Sequence, residues 1–467
     1  VDTQSNFIQV LNKLIMKKNI IHKFLSTLLS IAFVGTAMAQ ETVVSKIRGN
    51  MQYFRANDKT GINIYEPTKA DTNTFDGMKV RIGGNFTQNF QALQDKNNAT
   101  AVYDANGVNT NQLMGLTNGF NLAMANLRVD GQLADGIRVN LTMYLSSRHH
   151  SETWVKGGYL QFDKLLFLKS AFIDSLMKSF TIKAGDYEVD YGDQHFRRSD
   201  GGNAIYNPFI ENYIMDEFAT EIGTEVYFHP KNGIIAMFGV SNGELNPTVV
   251  AATAVDPRTN KLNKYDPAFH SKIGYDKQLK KDLRVRLTGS FYAVKSSNNN
   301  TLFNGDRTGS NYFLVMENTT ATSGDNAWSG RLNPGFSQQV TTFMVNPFMK
   351  FKGIEFFGTY EIAKGRTIKE SNLRTTTQYA VDLIYRFPRE KENFWIGARF
   401  NSITAALQNN PDNVTVNRIA GTVGWFATKN IMLKAEYVAQ QYNNYASTNI
   451  LSGGQFSGIM LQGSVAF

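Results

Sequence analysis

The sequence predicts an all-β fold, a transmembrane antiparallel β-barrel of about 16 strands. Two observations carry this. From residue 77 onward, segments that alternate apolar and polar residues recur, and period two marks a strand with one apolar face. The connections between them are alternately short and long, and the short ones all fall on the end that holds the C-terminus. A closed barrel is one of two ways a backbone crosses a membrane with its polar groups satisfied.

The chain before the barrel reads differently. Met16-Lys17-Lys18 opens a basic stretch, Phe24 to Val34 is a short apolar core, and Ala37-Met38-Ala39 is a small-x-small cleavage signal. Residues 16–39 therefore read as a signal peptide, with residues 1–15 as upstream translation and Gln40 as the mature start. The apolar core is too short for a helical span, which needs about 20 residues. Residues 40–76 carry balanced charge and fit a lumen insert, a periplasmic arm or an extra hairpin; residues 77–467 are the barrel.

The strands follow in order. In 78–91, Val80, Ile82, Gly84 and Phe86 oppose Lys79, Arg81, Asn85 and Thr87. A long polar loop leads to 120–133, a tight turn at Ala134-Asp135-Gly136, and 137–147. There Ile137, Val139, Leu141, Met143 and Leu145 oppose Arg138, Asn140, Thr142, Tyr144 and Ser146. Further strands are expected at 153–163, 179–190, 218–229, 233–242, 270–280, 283–296, 340–352, 353–365, 375–388, 393–406, 414–427, 430–443 and 456–467. In the last, Ile459, Leu461, Gly463, Val465 and Phe467 share one face. A terminal aromatic of this kind resembles the signal read by the barrel-assembly machinery of bacterial outer membranes. Segment 164–178 is too apolar and too long for a plain turn and reads as a short amphipathic helix at the periplasmic membrane surface. Pro347 lies inside a strand, so a bulge or break is expected there.

Composition agrees. Hydrophobic residues are 42% and mean hydropathy is −0.30, too polar for a bundle of membrane helices, whereas only alternate barrel residues face lipid. The 33 Phe and 20 Tyr fit aromatic girdles. Zero cysteines exclude a disulfide framework and a thiol nucleophile. The net charge of +9, about +6 after residue 39, does not argue for nucleic acid.

The positive excess falls on strands, on the face away from lipid. Arg81, Arg128, Arg138, Lys183, Arg284, Arg286, Arg386, Arg399 and Arg418 all follow this rule. A charged side chain facing lipid costs several kcal/mol near the midplane, so these point inward as pore-lining residues, and such a wall favours anions. The plainer reading is that each pairs with an inward carboxylate, Asp382 near Arg386 for example, and stiffens the wall. The third outside loop, 191–217, carries Asp193, His195, Arg197, Arg198 and Asp200, a mixture that suits a constriction; the plainer reading is a rigid surface loop tied by salt bridges. Its net charge is −3, which weakens a simple anion filter.

Catalysis has little support. His195 near Ser199, or Asp193 near His195, lacks any diagnostic spacing for a base and nucleophile. His149-His150 with Glu152 makes a poor metal site, because adjacent strand residues point opposite ways. No motif calls for a cofactor.

At 219–245 the chain resembles a known family. Ile222-Gly223-Thr224-Glu225-Val226, a short turn, and Phe238-Gly239-Val240-Ser241-Asn242-Gly243 are similar to the paired strands of the phosphate-selective porins O and P. Ala184-Gly185-Asp186-Tyr187 is similar to the step before their third loop. The chain departs at Ser241, where the family favours an aromatic, and in its acidic third loop. The whole organisation looks like the porin-type proteins of Bacteroidota outer membranes. The resemblance implies a 16-stranded outer-membrane barrel, often a homotrimer, that passes small anions. The expected function is a channel for passive diffusion of small hydrophilic solutes. The alternative is a non-conducting barrel acting as scaffold or adhesin, with its lumen plugged by residues 40–76.

Overall fold

Among the described residues, sixteen long strands and the two-residue strand Gly119–Phe120, which pairs with Phe90 and Gln91, form one antiparallel sheet that closes on itself. The computed structural model describes residues 51–66, 69–71, 73–146, 151–199, 203–245 and 248–467. The expected signal peptide, residues 1–15 and the start at Gln40 lie outside these residues.

The strands are β1 (Lys79–Lys96), β2 (Met124–Ala134), β3 (Ile137–Leu145), β4 (Trp154–Phe162), β5 (Phe180–Glu188), β6 (Thr220–Phe228), β7 (Ile234–Ser241) and β8 (Ala268–Lys280). Then come β9 (Leu283–Val294), β10 (Gln339–Phe351), β11 (Ile354–Arg366), β12 (Arg374–Phe387), β13 (Phe394–Ala405), β14 (Val414–Phe426), β15 (Ile431–Asn443) and β16 (Gln455–Ala466). Each pairs with its sequence neighbour, and β16 pairs with β1 from Asn85–Ala466 to Lys96–Gln455. Closure leaves no free edge. β1 runs five residues beyond its expected end, because β16 continues to pair with it above the level where β2 stops.

Period two decides the two faces. Ile459, Leu461, Val465 and Phe467 are exposed on the outside, and Met460, Gln462, Ser464 and Ala466 are buried inside. The same holds around the ring, with Leu141, Phe238, Ile273, Leu287, Phe343, Leu383, Ile396, Ile419 and Leu433 outward. A continuous apolar belt on a closed barrel is built to face hydrocarbon. At the short-turn end, Phe387, Phe394 and Trp425 stand directly opposite one another on three strands and stack at 5.7 and 6.1 Å, part of an aromatic girdle. Among the described residues no helix is long and apolar enough to cross a membrane.

The C-terminus is seated by glycines. The Phe467 N–H donates to the Gly84 carbonyl and the Gly84 N–H to the Phe467 carbonyl, both at 3.0 Å. A Cβ on Gly84 would stand 3.2 Å from the Phe467 ring, and one on Gly83 2.6 Å from its carbonyl oxygen.

Pro347 interrupts a ladder without a bulge. Pairing of β10 with β11 skips from Val345–Tyr360 to Phe348–Phe357 in unchanged register. The Asn346 side chain replaces the missing donor, giving Nδ2–H to the Gly358 carbonyl at 3.2 Å. Segment 164–178 holds a 3-10 turn at Leu166–Leu168 and helix α1 (Ala171–Met177), capped by Ser170 Oγ accepting from the Ile173 N–H. Leu166, Phe167, Leu168 and Phe172 stand exposed beside the apolar belt, as an interfacial helix requires.

Strands β2–β7 are 8 to 11 residues long and β8–β16 are 12 to 14. The wall is therefore lower on the β2–β7 side. Against the taller wall the barrel interior is a packed core. Residues 189–219 and 295–338 fold inward, and Ile210, Ile214, Met215, Leu302, Tyr312 and Val315 pack on inward Val340, Met344, Ile403, Val416, Val438 and Met460.

Candidate functional site

Three pieces of chain share the lumen, and polar wall residues hold each one. The first, residues 51–71, circles the short-turn mouth. Its Gln52 N–H donates to Gln132 Oε1, and Arg138 Nη2 donates to the Tyr53 carbonyl. Arg128 Nη1 donates to Asn57 Oδ1 at 2.6 Å. The Lys59 N–H reaches the Lys429 carbonyl between β14 and β15, and Lys59 Nζ reaches Asn393 Oδ1 before β13. Asn63 Nδ2 donates to Glu355 on β11, and its carbonyl accepts from Arg284 on β9. Lys69 Nζ then returns to Asp163 after β4. The chain thus forms a floor tied to strands on all sides of the mouth.

The second piece is the third loop, 189–219. One end is clamped to β8 and β9. Arg286 donates through Nε and Nη2 to both oxygens of Asp193, at 2.7 and 2.8 Å, and through Nη1 and Nη2 to Glu66, at 2.6 and 2.5 Å. Lys272 joins Glu66, Asp190 and Asp193. Burial pushes the Glu66, Asp190 and Asp193 carboxyls up, and the Arg286 and Lys272 charges outweigh it, so all three lie below the carboxylate range. His195 Nε2 donates to Asp190 Oδ1 (3.0 Å), and its Nδ1 lies 3.5 Å from Glu188. Burial pulls its imidazole down, but the hydrogen-bonded Asp190 and the nearby Glu188 carboxylate raise it above its ordinary value.

The loop then crosses to the opposite wall, where side chains hold its backbone. Trp395 Nε1 and Thr422 Oγ1 donate to the Pro208 carbonyl, and Lys434 Nζ to those of Asn207 and Phe209. Glu436 accepts from the Ile210 N–H, Asn401 from that of Ile214, and Gln378 from that of Met215. Arg399 donates to the Glu211 carbonyl and Arg418 to that of Asn212. The third piece, 295–338, closes over this. Arg331 pairs with Glu211 and Asp216, Tyr312 donates to Glu436, and Phe313 and Met316 donate to Gln91 and Asp95.

On the low side of the barrel lies a cavity of about 300 Å³. Its wall is Arg128, Asp130, Arg138, Asn140, Thr142, Lys156, Tyr159, Gln161 and Lys183 from β2–β5. Its other sides are Tyr53, Phe54, Arg55 and Asn57 of the floor, and Glu188, His195, Phe196 and Tyr206. Arg138 pairs with Asp130, Lys156 with Asp306 and Lys183 with Glu225. Arg55 and Arg128 have no carboxylate within 4.0 Å among the described residues. Burial lowers the Arg55 guanidinium and the neighbouring Arg128 charge adds to this. Arg81 lies nearby, 4.6 Å from the Phe54 ring. Asp186 and Glu188 face the same space, and each keeps one buried oxygen without a hydrogen bond.

The nine expected pore-lining cations all turn to the interior, yet only Arg128, Arg138 and Lys183 line this cavity. Arg284 and Arg286 lie beneath the floor and the loop clamp, and Arg386, Arg399 and Arg418 are buried under the third loop. These five are corrected from pore lining to anchors. Asp382 pairs with Arg399, directly opposite it on β13, whereas Arg386 pairs with Glu355. In the third loop Asp193, Arg197 and Arg198 are fully buried, and His195 alone of the five named residues lines the cavity; Asp200 lies outside the described residues. His195 and Ser199 are not brought together: His195 turns to Asp190, while Ser199 Oγ donates to the Ile210 carbonyl. His149 and His150 lie outside the described residues. Sequence reasoning missed Glu66, Gln378, Asn401, Lys434 and Glu436. For the last four the only signal was polarity at inward strand positions, and Glu66, ahead of the first strand, carried none.

No family model matches the chain, and no curated protein does. Solved structures that it resembles include in-vitro folded OmpT, an outer membrane protein of Vibrio cholerae, at 12% identity and a TM-score of 0.47 over 84% of this chain and 99% of that one. An anion-selective porin from Comamonas acidovorans matches at 11% and 0.47, over 84% of this chain and 100% of that one. The outer membrane channel DcaP of Acinetobacter baumannii matches at 11% and 0.46, over 84% and 99%. At these values each likeness is one of overall shape.

Proposed function

We propose that the protein is a porin-like channel of the bacterial outer membrane, passing small hydrophilic solutes along the low side of its barrel. One observation carries the reading: a closed barrel with an apolar outer belt keeps a polar, charged cavity beside β2–β6 while two loops pack against the taller wall. Such a path is narrow, so the expected conductance is small. A preference for anions is the secondary part, and it rests on Arg55, Arg81 and Arg128, which have no carboxylate within 4.0 Å among the described residues. Asp186 and Glu188 act against it.

Purified protein in a planar bilayer tests both parts. The expected result is a small, ohmic current with a chloride/potassium permeability ratio above one, which Arg128→Ala lowers. A ratio below one rejects the anion preference and leaves the channel. The second reading, a non-conducting scaffold or adhesin, is favoured by the floor and by the packing of two loops inside the barrel. It predicts no current from correctly assembled protein.

A further inference from the structure

We propose that Glu217 and Glu361 form a binding site for one hard divalent cation of the calcium type, where the third loop rests on β11. The backbone sets the pair. The Met215 N–H donates to Gln378 Oε1 and the Met215 carbonyl accepts from Gln378 Nε2, both at 2.9 Å. Gln378 stands directly opposite Glu361 in the β11–β12 ladder. Two residues on from Met215, Glu217 lies near this pair: burial, and after it the Glu361 charge, pushes its carboxyl up.

Both are interior: Glu217 is 3% exposed and Glu361 0%. Neither Glu217 oxygen, nor Glu361 Oε2, takes part in a hydrogen bond with another residue. Neither carboxylate has a lysine, arginine or histidine within 4.0 Å among the described residues. The nearby Arg198 is committed to Asp216 through Nε and Nη2. An independent observation points the same way. Thr376, fully buried and inward on β12 one step diagonally from Glu361, has a hydroxyl that meets no partner. Glu361 Oε1 already collects the Tyr191 hydroxyl at 2.9 Å and that of Thr342 at 3.2 Å.

Two buried carboxylates without a counter-charge are too costly to stand alone. One proton shared between them satisfies two oxygens and leaves a third, and Thr376, unmet. A cation gathers them all. The unmet donors are oxygen only, from two carboxylates and the Thr376 hydroxyl, with no imidazole or thiol. This is the chemistry of calcium, which takes 6–8 oxygens in adaptable geometry, rather than of zinc or of strictly octahedral magnesium. Bound there, the ion staples the third loop to the tall wall. The assignment is independent of whether the barrel conducts.

The test uses the full-length barrel in detergent, stripped with a chelator and titrated calorimetrically with calcium chloride. The expected result is one ion per chain, and a melting temperature that calcium raises. Glu217→Gln weakens binding at least tenfold, while Glu221→Gln, which alters a buried carboxylate held by Ser241 and Tyr292, leaves it unchanged. Absence of saturable binding by the wild-type protein overturns the site and assigns the pair a shared proton. Unchanged binding by Glu217→Gln overturns the assignment to these residues. Thr376→Val, an isosteric change, supplies the same comparison if Glu217→Gln does not assemble.

Discussion

At the scale of single residues, the inward cations hold the molecule together more than they line a path. Arg286 shows this. Its side chain is fully buried between Glu66 and Asp193, so Arg286→Ala leaves Glu66, Asp190 and Asp193 to share Lys272 as their buried lysine. Breaking a buried pair from one side costs about 3–5 kcal/mol, and a large fall in melting temperature is expected, measured by loss of heat-resistant migration. A variant as heat-resistant as the wild type would count against the clamp. His195 makes a second prediction. Glu188 and Asp190 face it, Lys272 holds Asp190, and Arg55 holds the adjacent Phe196 carbonyl. Its pKa is raised on folding, so the clasp is fully present below the ordinary histidine value and lost as pH rises through the raised one. Stability should fall over that alkaline-going window, and His195→Asn should flatten the profile. Identical profiles for both proteins would remove His195 from the clasp.

At the scale of elements, the strands were legible because each wears its environment in a two-residue period. Sixteen segments were marked from alternation and each became a strand. The partners of inward residues were not legible. Asp382 and Arg386 are four apart on one strand, about 13 Å at 3.3 Å per residue, whereas Arg399 faces Asp382 directly at cross-strand distance. Glu66, Asp193 and Arg286 meet from three distant stretches, and loops carry no periodicity to announce that they fold inward. Pro347 was read as a bulge or break; the ladder breaks there without a bulge, because the Asn346 amide supplies a donor and register survives. The closing seam is a further test. Gly84→Val pushes a side chain against the Phe467 ring and the Asn126 carbonyl, and outer-membrane assembly should drop several-fold in fractionated cells. Full insertion of this variant would deny the seam its role.

At the scale of the whole molecule, a low wall and a tall wall divide the work. The tall wall anchors two loops and the low wall borders the open cavity. The barrel was legible from sequence, and the mixed charges of 191–217 marked that loop as a candidate constriction; the inward packing of 302–316 was not legible, because its apolar residues read as ordinary loop composition. In the proposed channel, solutes pass beside β2–β6. Single-channel recording of Thr142→Trp is the test, since an indole there projects into a cavity of about 300 Å³. The expected result is a small wild-type conductance that this variant reduces several-fold with heat resistance unchanged. Absence of current from folded wild-type protein, or equal current from the variant, would contradict it.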